Sequence, residues 1–495
     1  MRNDPVRESW TVPLDPQGLV IYFGVRGRPF FFNGHSGAFY DSLPPRALSA
    51  LNSLLNSEAE PAASERAQSP KSGARRGLWK EIQQYQSGTH PDLLPEVRRE
   101  SFRERVDLQE VVVYVTRACN LACSYCFSRG GTFGGRPSLM SVQTAKESVA
   151  FVGKLLAAST RPYVTVDLFG GEPLLARDTL YTLARGLQDL NRAGLPAKAQ
   201  VRLLTNGTVY DQRVFEVVAE EPKLNVVFVT FDAVREAQER NRPFRNRARG
   251  SSYDRVLENL QRMMSAGIPY SVSCHVPYPY DYIDAAEELH RLGVEWLEVR
   301  LLLHHVFGRE DLPEVFRDDL DLWKKKYLAY TDYFLEYLRH PRPARHNDRT
   351  GILGNYSKAL EQANGSPQTF GCGLLEDLIA VGCDGHLLPC NCFPQEELEI
   401  GDVSTGLDPA KYARIEKWLL AEAQLRIDHE RCRNCYAKRI CNGGCYAASY
   451  DRTGRFEPLP ESSCQFTREK VKIDLYFISR VRKEHPELLQ PAPQI

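Results

Sequence analysis

The residues best suited to chemistry in this chain are its cysteines, thirteen in 495 residues. They are unevenly placed. Cys119, Cys123 and Cys126 lie close together, Cys274 stands alone, and the rest lie between Cys372 and Cys464. In a reducing compartment such clustering points to metal binding or thiol chemistry rather than to structural disulfides. Three thiolates can hold three irons of a cubane cluster and leave the fourth iron open to a small chelating molecule. A closed zinc site would want a fourth Cys or His nearby, and none follows within the loop.

A second motif is Phe169-Gly170-Gly171-Glu172-Pro173, at the end of an expected strand. Glycines there let the backbone approach a ligand closely, and a carboxylate can receive an ammonium group. Cys119-Asn-Leu-Ala-Cys123-Ser-Tyr-Cys126, followed by this GGEP motif, resembles the radical S-adenosylmethionine (radical SAM) enzymes. The resemblance implies that the methionyl amino and carboxylate groups of S-adenosyl-L-methionine bind the open iron of a [4Fe-4S] cluster. One electron then cleaves the sulfonium C–S bond to give a 5′-deoxyadenosyl radical. It further implies that Gly170, Gly171, Glu172 and Pro173 hold the methionine amino group and that Tyr125 lies against the adenine. Asn206, Thr230 and Arg249 are its remaining candidates for the cofactor, the last two for its carboxylate. Relatives commonly read Ser-x-Asp-Gly where this chain has Thr230-Phe231-Asp232-Ala233, so the turn there is expected to differ.

The C-terminal cysteines carry a second resemblance. Cys372 is followed by Gly385 and Cys390, then by Cys432-x2-Cys435-x5-Cys441-x3-Cys445, and finally by Cys464. The order and spacing are similar to the SPASM domain of radical SAM peptide and protein maturases, which implies two auxiliary [4Fe-4S] clusters. Cys432, Cys435, Cys441 and Cys464 would ligate the second, and Cys372, Cys390 and Cys445 the first. Its fourth ligand stays open between Cys383, Cys392 and a substrate thiolate. Zinc ribbons also use CxxC repeats, but the GxxxxC element is no part of one. Cys274, inside an apolar strand, reads as a buried small hydrophobe.

The elements that must position these groups are visible as periodicity. Residues 111–115, 163–169, 200–206, 225–231, 270–276 and 295–303 read as apolar strands covered on both faces. Helical patterns alternate with them, at Val142 to Leu156 and at Tyr253 to Met263, the latter stopped by Gly267. The class is α/β, and right-handed crossovers make it a partial (β/α)6 TIM-like barrel with reactive groups beyond the strands' C-terminal ends. The expected organisation is an N-terminal hairpin and helix module over 1–100, with 57–77 a flexible segment. The barrel spans 108–304, a helical bridge 305–365, a loop-rich SPASM domain 366–470, and a C-terminal helix and tail 471–495. Phe316 to Tyr337 form an aromatic stripe on one long helix of the bridge, of the kind that packs as core.

Lys+Arg and Asp+Glu both number 63, so zero net charge gives no phosphate footprint and no nucleic-acid partner is expected. No apolar run approaches the roughly 18 residues of a membrane span, and the first residues lack a signal segment. The expectation is a cytoplasmic enzyme: a radical SAM maturase that abstracts hydrogen from a ribosomally made precursor peptide and installs a thioether or carbon–carbon crosslink or a related oxidation. The family implies an external low-potential flavodoxin or ferredoxin as electron donor. The N-terminal module reads equally as a leader-peptide site, adding the leader as an extra strand, or as a capping hairpin. The second reading of the whole is a formylglycine-forming sulfatase maturase. In that branch an Asp follows the cysteine of the GxxxxC element, where this chain has Asn391, an amide that takes no proton at neutral pH. A zinc-binding interaction protein without enzymatic activity is the third.

Overall fold

The computed structural model describes residues 9–13, 20–26, 28–33, 39–40, 108–276, 281–294, 296–301, 320–340, 345–346 and, apart from a few single positions, 374–486. The expected flexible segment at 57–77, the short helix before it and Cys372 lie outside the described residues. So do Phe316 and much of the helical bridge.

Two sheets are formed. The first is antiparallel in the order β1 (Ser9–Pro13), β2 (Val20–Val25), β3 (Arg28–Asn33) and β4 (Phe39–Tyr40). Its central pair forms the hairpin expected in the N-terminal module, and Arg26 takes positive φ at the turn. Phe23, Val25, Phe30 and Phe32 are buried on this sheet.

The second sheet contains the barrel: β5 (Glu110–Thr116), β6 (Tyr163–Gly170), β7 (Lys198–Thr205), β8 (Val226–Thr230), β9 (Tyr270–Val276) and β10 (Trp296–Leu301). All neighbours among these six are parallel. The crossovers are helical, including α1 (Val142–Ala158), α2 (Arg177–Arg192), α3 (Gln212–Ala219), α4 (Arg235–Asn241), α5 (Ser252–Ser265) and α6 (Tyr282–Arg291). Side-chain caps start several of them. Ser141 accepts from Thr144 N at 2.9 Å and Ser251 from Asp254 N at 3.0 Å, each satisfying an otherwise unpaired first-turn amide.

β5 is buried almost throughout, as expected, but β7 and β8 alternate between buried and half-buried. The reason lies in the residue types on the second face. Arg202 pairs with Asp167 at 2.5 Å and Glu110 at 3.1 Å, an ionic group that an open barrel tolerates and a dry core would not. The sheet ends at β11 (Arg345–His346) on one side. On the other it runs on from β5 into β12 (Leu378–Val381), β13 (His386–Leu388), β14 (Gly401–Asp402) and β15 (Gly406–Leu407). β12 is parallel to β5, with Ile379 opposite Val111, so the cysteine-rich region is built onto the barrel's first strand.

The remaining described helices are α7 (Leu320–Arg339), α8 (Pro409–Asp428), α9 (Glu430–Arg433), α10 (Lys438–Cys441), α11 (Tyr446–Thr453) and α12 (Glu461–Glu484). The aromatic stripe of α7 is core: Tyr327, Tyr330, Phe334 and Tyr337 are buried, and the Phe334 ring lies 5.8 Å from that of Phe477 on α12. α12 runs across position 470, where the sequence suggested a domain limit, and carries Cys464 near its start. It also supports the N-terminal sheet, with Phe30 against Tyr476 at 6.3 Å. No helix among the described residues is long and apolar enough to cross a membrane.

Candidate functional site

The loop after β5 carries Cys119, Cys123 and Cys126 at the strands' C-terminal ends. Its course is fixed by backbone hydrogen bonds to distant segments. Ala122 N donates to Pro243 O at 2.8 Å, Ser124 N to Asn241 O at 2.8 Å, and Arg245 N returns to Asn120 O at 2.9 Å. Amide donors reach the sulfurs: Leu121 N lies 3.4 Å from Cys119 Sγ, and Gly130 N 3.1 Å from Cys126 Sγ. Burial pushes the Cys119 thiol up to about 11 and the Cys123 thiol up to about 12, so holding them as thiolates requires a cation. The three thiols interact with one another.

The glycine motif after β6 packs directly on this loop. A Cβ at Gly170 would lie 2.3 Å from Thr116 O, and one at Gly171 2.2 Å from Ala118 O and 2.7 Å from Gly130 O. Gly170 also takes φ +149°. Any side chain at either position would push the cysteine loop away, so here the close approach is to protein backbone. Glu172 is fully buried. Its carboxylate accepts from Leu174 N at 3.1 Å, Thr205 Oγ1 at 2.8 Å and Asn206 N at 2.7 Å, and burial raises its pKa to about 7. It therefore ties the β6 loop to the β7 loop, a task the sequence did not disclose. Pro173 follows it, buried, at the start of a 3-10 turn.

Asn206 lies beside the first cysteine. Its Nδ2 donates to Asn120 Oδ1 at 2.9 Å and approaches Cys119 Sγ at 3.5 Å. Tyr125 Oη donates to the Asp232 carboxylate at 2.8 Å and accepts from Arg242 Nη1 at 3.0 Å, and its ring is stacked with His275 at 6.1 Å. Burial raises the Asp232 pKa to about 6 against the pull of Arg242. Thr230 ends β8 opposite Ser273 of β9. Arg249 is exposed in the 3-10 turn Arg247–Arg249, and no hydrogen bond given above for the cysteine and glycine loops involves it. Ala233 holds φ +58°, so alanine keeps the left-handed turn that glycine would favour.

Radical SAM is the superfamily whose family model matches residues 113–293. The chain carries a radical SAM domain. Among curated relatives, the GTP 3′,8-cyclase of Bradyrhizobium diazoefficiens is 29% identical over 163 residues, 32% of this chain and 42% of the cyclase. The chain thus spans less than half of that relative's length. The cysteine-type anaerobic sulfatase-maturating enzyme of Clostridium perfringens is 19% identical over 340 residues, 66% of this chain and 85% of that enzyme. Of solved structures, native anSMEcpe with bound AdoMet and Cp18Cys peptide superposes with TM-score 0.58 at 18% identity, covering 77% of this chain and 97% of that one. Streptococcus suis SuiB bound to S-adenosylmethionine superposes with TM-score 0.51 at 14% identity, covering 88% and 96%. Both likenesses are of fold, and each covers more of the chain than the radical SAM match does.

Behind the radical SAM domain the C-terminal thiols fall into two groups. Cys441 lies within electrostatic reach of Cys435, Cys464 and Cys432. Burial pushes the Cys441 thiol up to about 12. Cys445 faces Cys390 instead, although it follows Cys441 by only four positions. Cys392 N donates to Cys390 Sγ at 3.1 Å, and hydrogen bonding from Cys392 holds the Cys390 thiol below its ordinary value. Cys383, buried in the turn after β12, is hydrogen-bonded to Ser138 and the Arg117 backbone, and burial pushes it up to about 11. Cys383, Cys390 and Cys392 all act on Tyr114 of the first barrel strand, whose hydroxyl donates to Asn391 O. Cys274 is fully buried in β9, as expected of a small hydrophobe. The residues that spacing did not reveal are Asp232, Arg242, Thr205 and Tyr114. Nothing in the sequence around Arg242 marks it, since the Tyr125 hydroxyl to which it donates lies more than a hundred positions away.

Proposed function

We propose that this chain is a radical SAM peptide maturase with two auxiliary clusters, acting on a ribosomally made precursor peptide to install a crosslink or related oxidation. The observation that carries the reading is the combination of a three-thiol loop at the barrel mouth with two further thiol groups in the region that joins the barrel sheet through β12. Cys119, Cys123 and Cys126 would hold the cluster that binds S-adenosyl-L-methionine, and its reductive cleavage supplies the hydrogen-abstracting 5′-deoxyadenosyl radical. Gly170, Gly171, Glu172 and Pro173 shape the wall of that site, Tyr125 and Asn206 flank it, and Thr230 and Arg249 are the candidates for the cofactor carboxylate. Cys432, Cys435, Cys441 and Cys464 would hold one auxiliary cluster. Cys372, Cys390 and Cys445 would hold the other, with Cys392, whose backbone amide donates to Cys390 Sγ, the better placed of the two extra thiols to complete it. Auxiliary clusters give the electron left on a substrate radical somewhere to go, with potentials set by burial and by hydrogen bonds to sulfur. The first electron would come from a low-potential flavodoxin or ferredoxin.

The solved relatives support a peptide as substrate, since anSMEcpe is bound to Cp18Cys peptide and SuiB has a structure with precursor peptide SuiA. The sulfatase-maturase reading is disfavoured by Asn391. Its amide oxygen lies 3.8 Å from both Cys390 Sγ and Cys392 Sγ, where a proton-accepting carboxylate would be wanted. The deciding experiment is anaerobic turnover with reductant, S-adenosyl-L-methionine and candidate precursor peptides, read by mass spectrometry. The expected result is 5′-deoxyadenosine together with a peptide two hydrogens lighter. A product bearing formylglycine would favour the sulfatase-maturase reading. A colourless anaerobic preparation containing zinc without iron or sulfide would overturn both.

The N-terminal sheet is the proposed leader site. One face is already used against α12, leaving strand addition at an edge as its means of peptide capture. Deletion of residues 1–100 should weaken precursor binding by at least tenfold in a titration. Unchanged affinity would leave the sheet a capping module.

A further inference from the structure

Arg426, near the end of α8, is the largest fully buried side chain among the described residues, 1% exposed. None of its three guanidinium nitrogens has a hydrogen-bond partner among the described residues. A cation buried without partners is among the most costly arrangements a fold can contain, so something must neutralise it. Its surroundings name the candidates. Cys441, Cys432 and Cys445 are its electrostatic neighbours, and the Tyr446 ring lies 4.7 Å beneath the guanidinium carbon. Gly443, between Cys441 and Cys445, makes room for the stem: a Cβ there would lie 2.9 Å from Arg426 Cδ, and its φ is +77°. Cys432 and Cys441 belong to one thiol group and Cys445 to the other.

We propose that Arg426 is a positioning residue that stands between the two auxiliary clusters, donates hydrogen bonds to their inorganic sulfides, and stabilises their reduced states. The inference rests on the two-cluster reading of the preceding subsection. A cubane bound by four thiolates is anionic and gains a further negative charge when reduced. A fixed cation therefore favours the reduced form and raises the potential, as do hydrogen bonds to sulfur. The guanidinium fork has five N–H donors, enough to serve sulfurs on two sides, and stacking on Tyr446 fixes its plane. Arg426 thereby makes each auxiliary cluster a better acceptor for an electron leaving the substrate.

The test uses the full-length protein with its clusters reconstituted, comparing wild type, Arg426→Gln and Arg426→Lys. Iron and sulfide are counted first. An EPR-monitored titration with dithionite, one electron per cluster, then gives the potentials. Arg426→Gln should retain its iron and show a reduced-to-oxidised auxiliary ratio at least tenfold lower at a given potential, about 59 mV for a one-electron couple. Arg426→Lys, which keeps the charge, should shift less. A wild-type curve for Arg426→Gln, or equal shifts in both variants, overturns the proposal. Should Arg426→Gln lose iron, retention by Arg426→Lys supports a role for the charge, and equal loss in both overturns it. Wild-type protein holding only one cubane of iron would instead remove the two-cluster reading itself, an outcome visible before any variant is made.

Discussion

The Glu172 carboxylate accepts the Asn206 backbone amide at 2.7 Å and so joins the loop that follows one barrel strand to the loop that follows the next. Thr205 Oγ1, at 2.8 Å, doubles the joint. Glu172→Gln replaces one acceptor oxygen by an NH2 group facing donors. Leaving such buried donors unsatisfied costs about 1–3 kcal/mol. The pH dependence has a definite sign. Burial raises the Glu172 pKa from 4.5 to about 7, so between these values the folded state binds more protons than the unfolded chain, and stability falls as pH rises through that window. Thermal unfolding of cluster-free protein from pH 4 to 8 should show this decline in wild type and less of it in Glu172→Gln. Identical pH profiles would show that the carboxylate is not what titrates.

Cys123 is the middle ligand of the proposed barrel cluster, and a two-thiol loop cannot retain a cubane with one open iron. Cys123→Ala should therefore lower 5′-deoxyadenosine formation by at least a thousandfold while the barrel stays folded by circular dichroism. Normal turnover would refute the assignment of the first cluster.

Cys435 belongs to the C-terminal group of four. Cys435→Ala should lose about one cubane's worth of iron and sulfide. It should also make the α9–α12 region protease-sensitive, because metal-binding energy in a loop-rich region is folding energy. Wild-type iron content and proteolysis would contradict that grouping.

Lys470 and Asp474 form a buried ion pair one turn apart on α12, and Tyr327 Oη donates to Asp474 at 2.6 Å. Removing one partner leaves a buried charge uncompensated and typically costs about 3–5 kcal/mol, whereas replacing both with apolar side chains is often neutral. Asp474→Leu alone should therefore destabilise the protein strongly in denaturant unfolding, and Lys470→Met with Asp474→Leu should recover most of the loss. Additive effects of the two substitutions would show that the pair is not coupled.

Much of the barrel was legible because strand periodicity is a local property: all six strands fall within three residues of the expected limits. The cysteine loop and the GGEP motif were legible for the same reason, being short runs with fixed spacing. Pairings distant in sequence were not. Nothing near Leu378 announces that it will pair with Glu110, and nothing near Arg242 announces Tyr125. The role of Glu172 was only half visible, since the motif marks a carboxylate but not the direction it faces. Arg426 is invisible for a different cause: an arginine late in an amphipathic helix reads as surface until Gly443 is placed against it.

The parallel pairing of β12 with β5 joins the radical SAM domain and the cysteine-rich region in a single ladder of backbone hydrogen bonds. Two such halves joined by a linker could swing apart, and the gap an electron must cross would then vary with each turnover. On the two-cluster reading, the β12–β5 ladder would keep that gap from varying in this way. Differences among precursor peptides would then be accommodated by the loops at the rim, with the ladder beneath them unchanged.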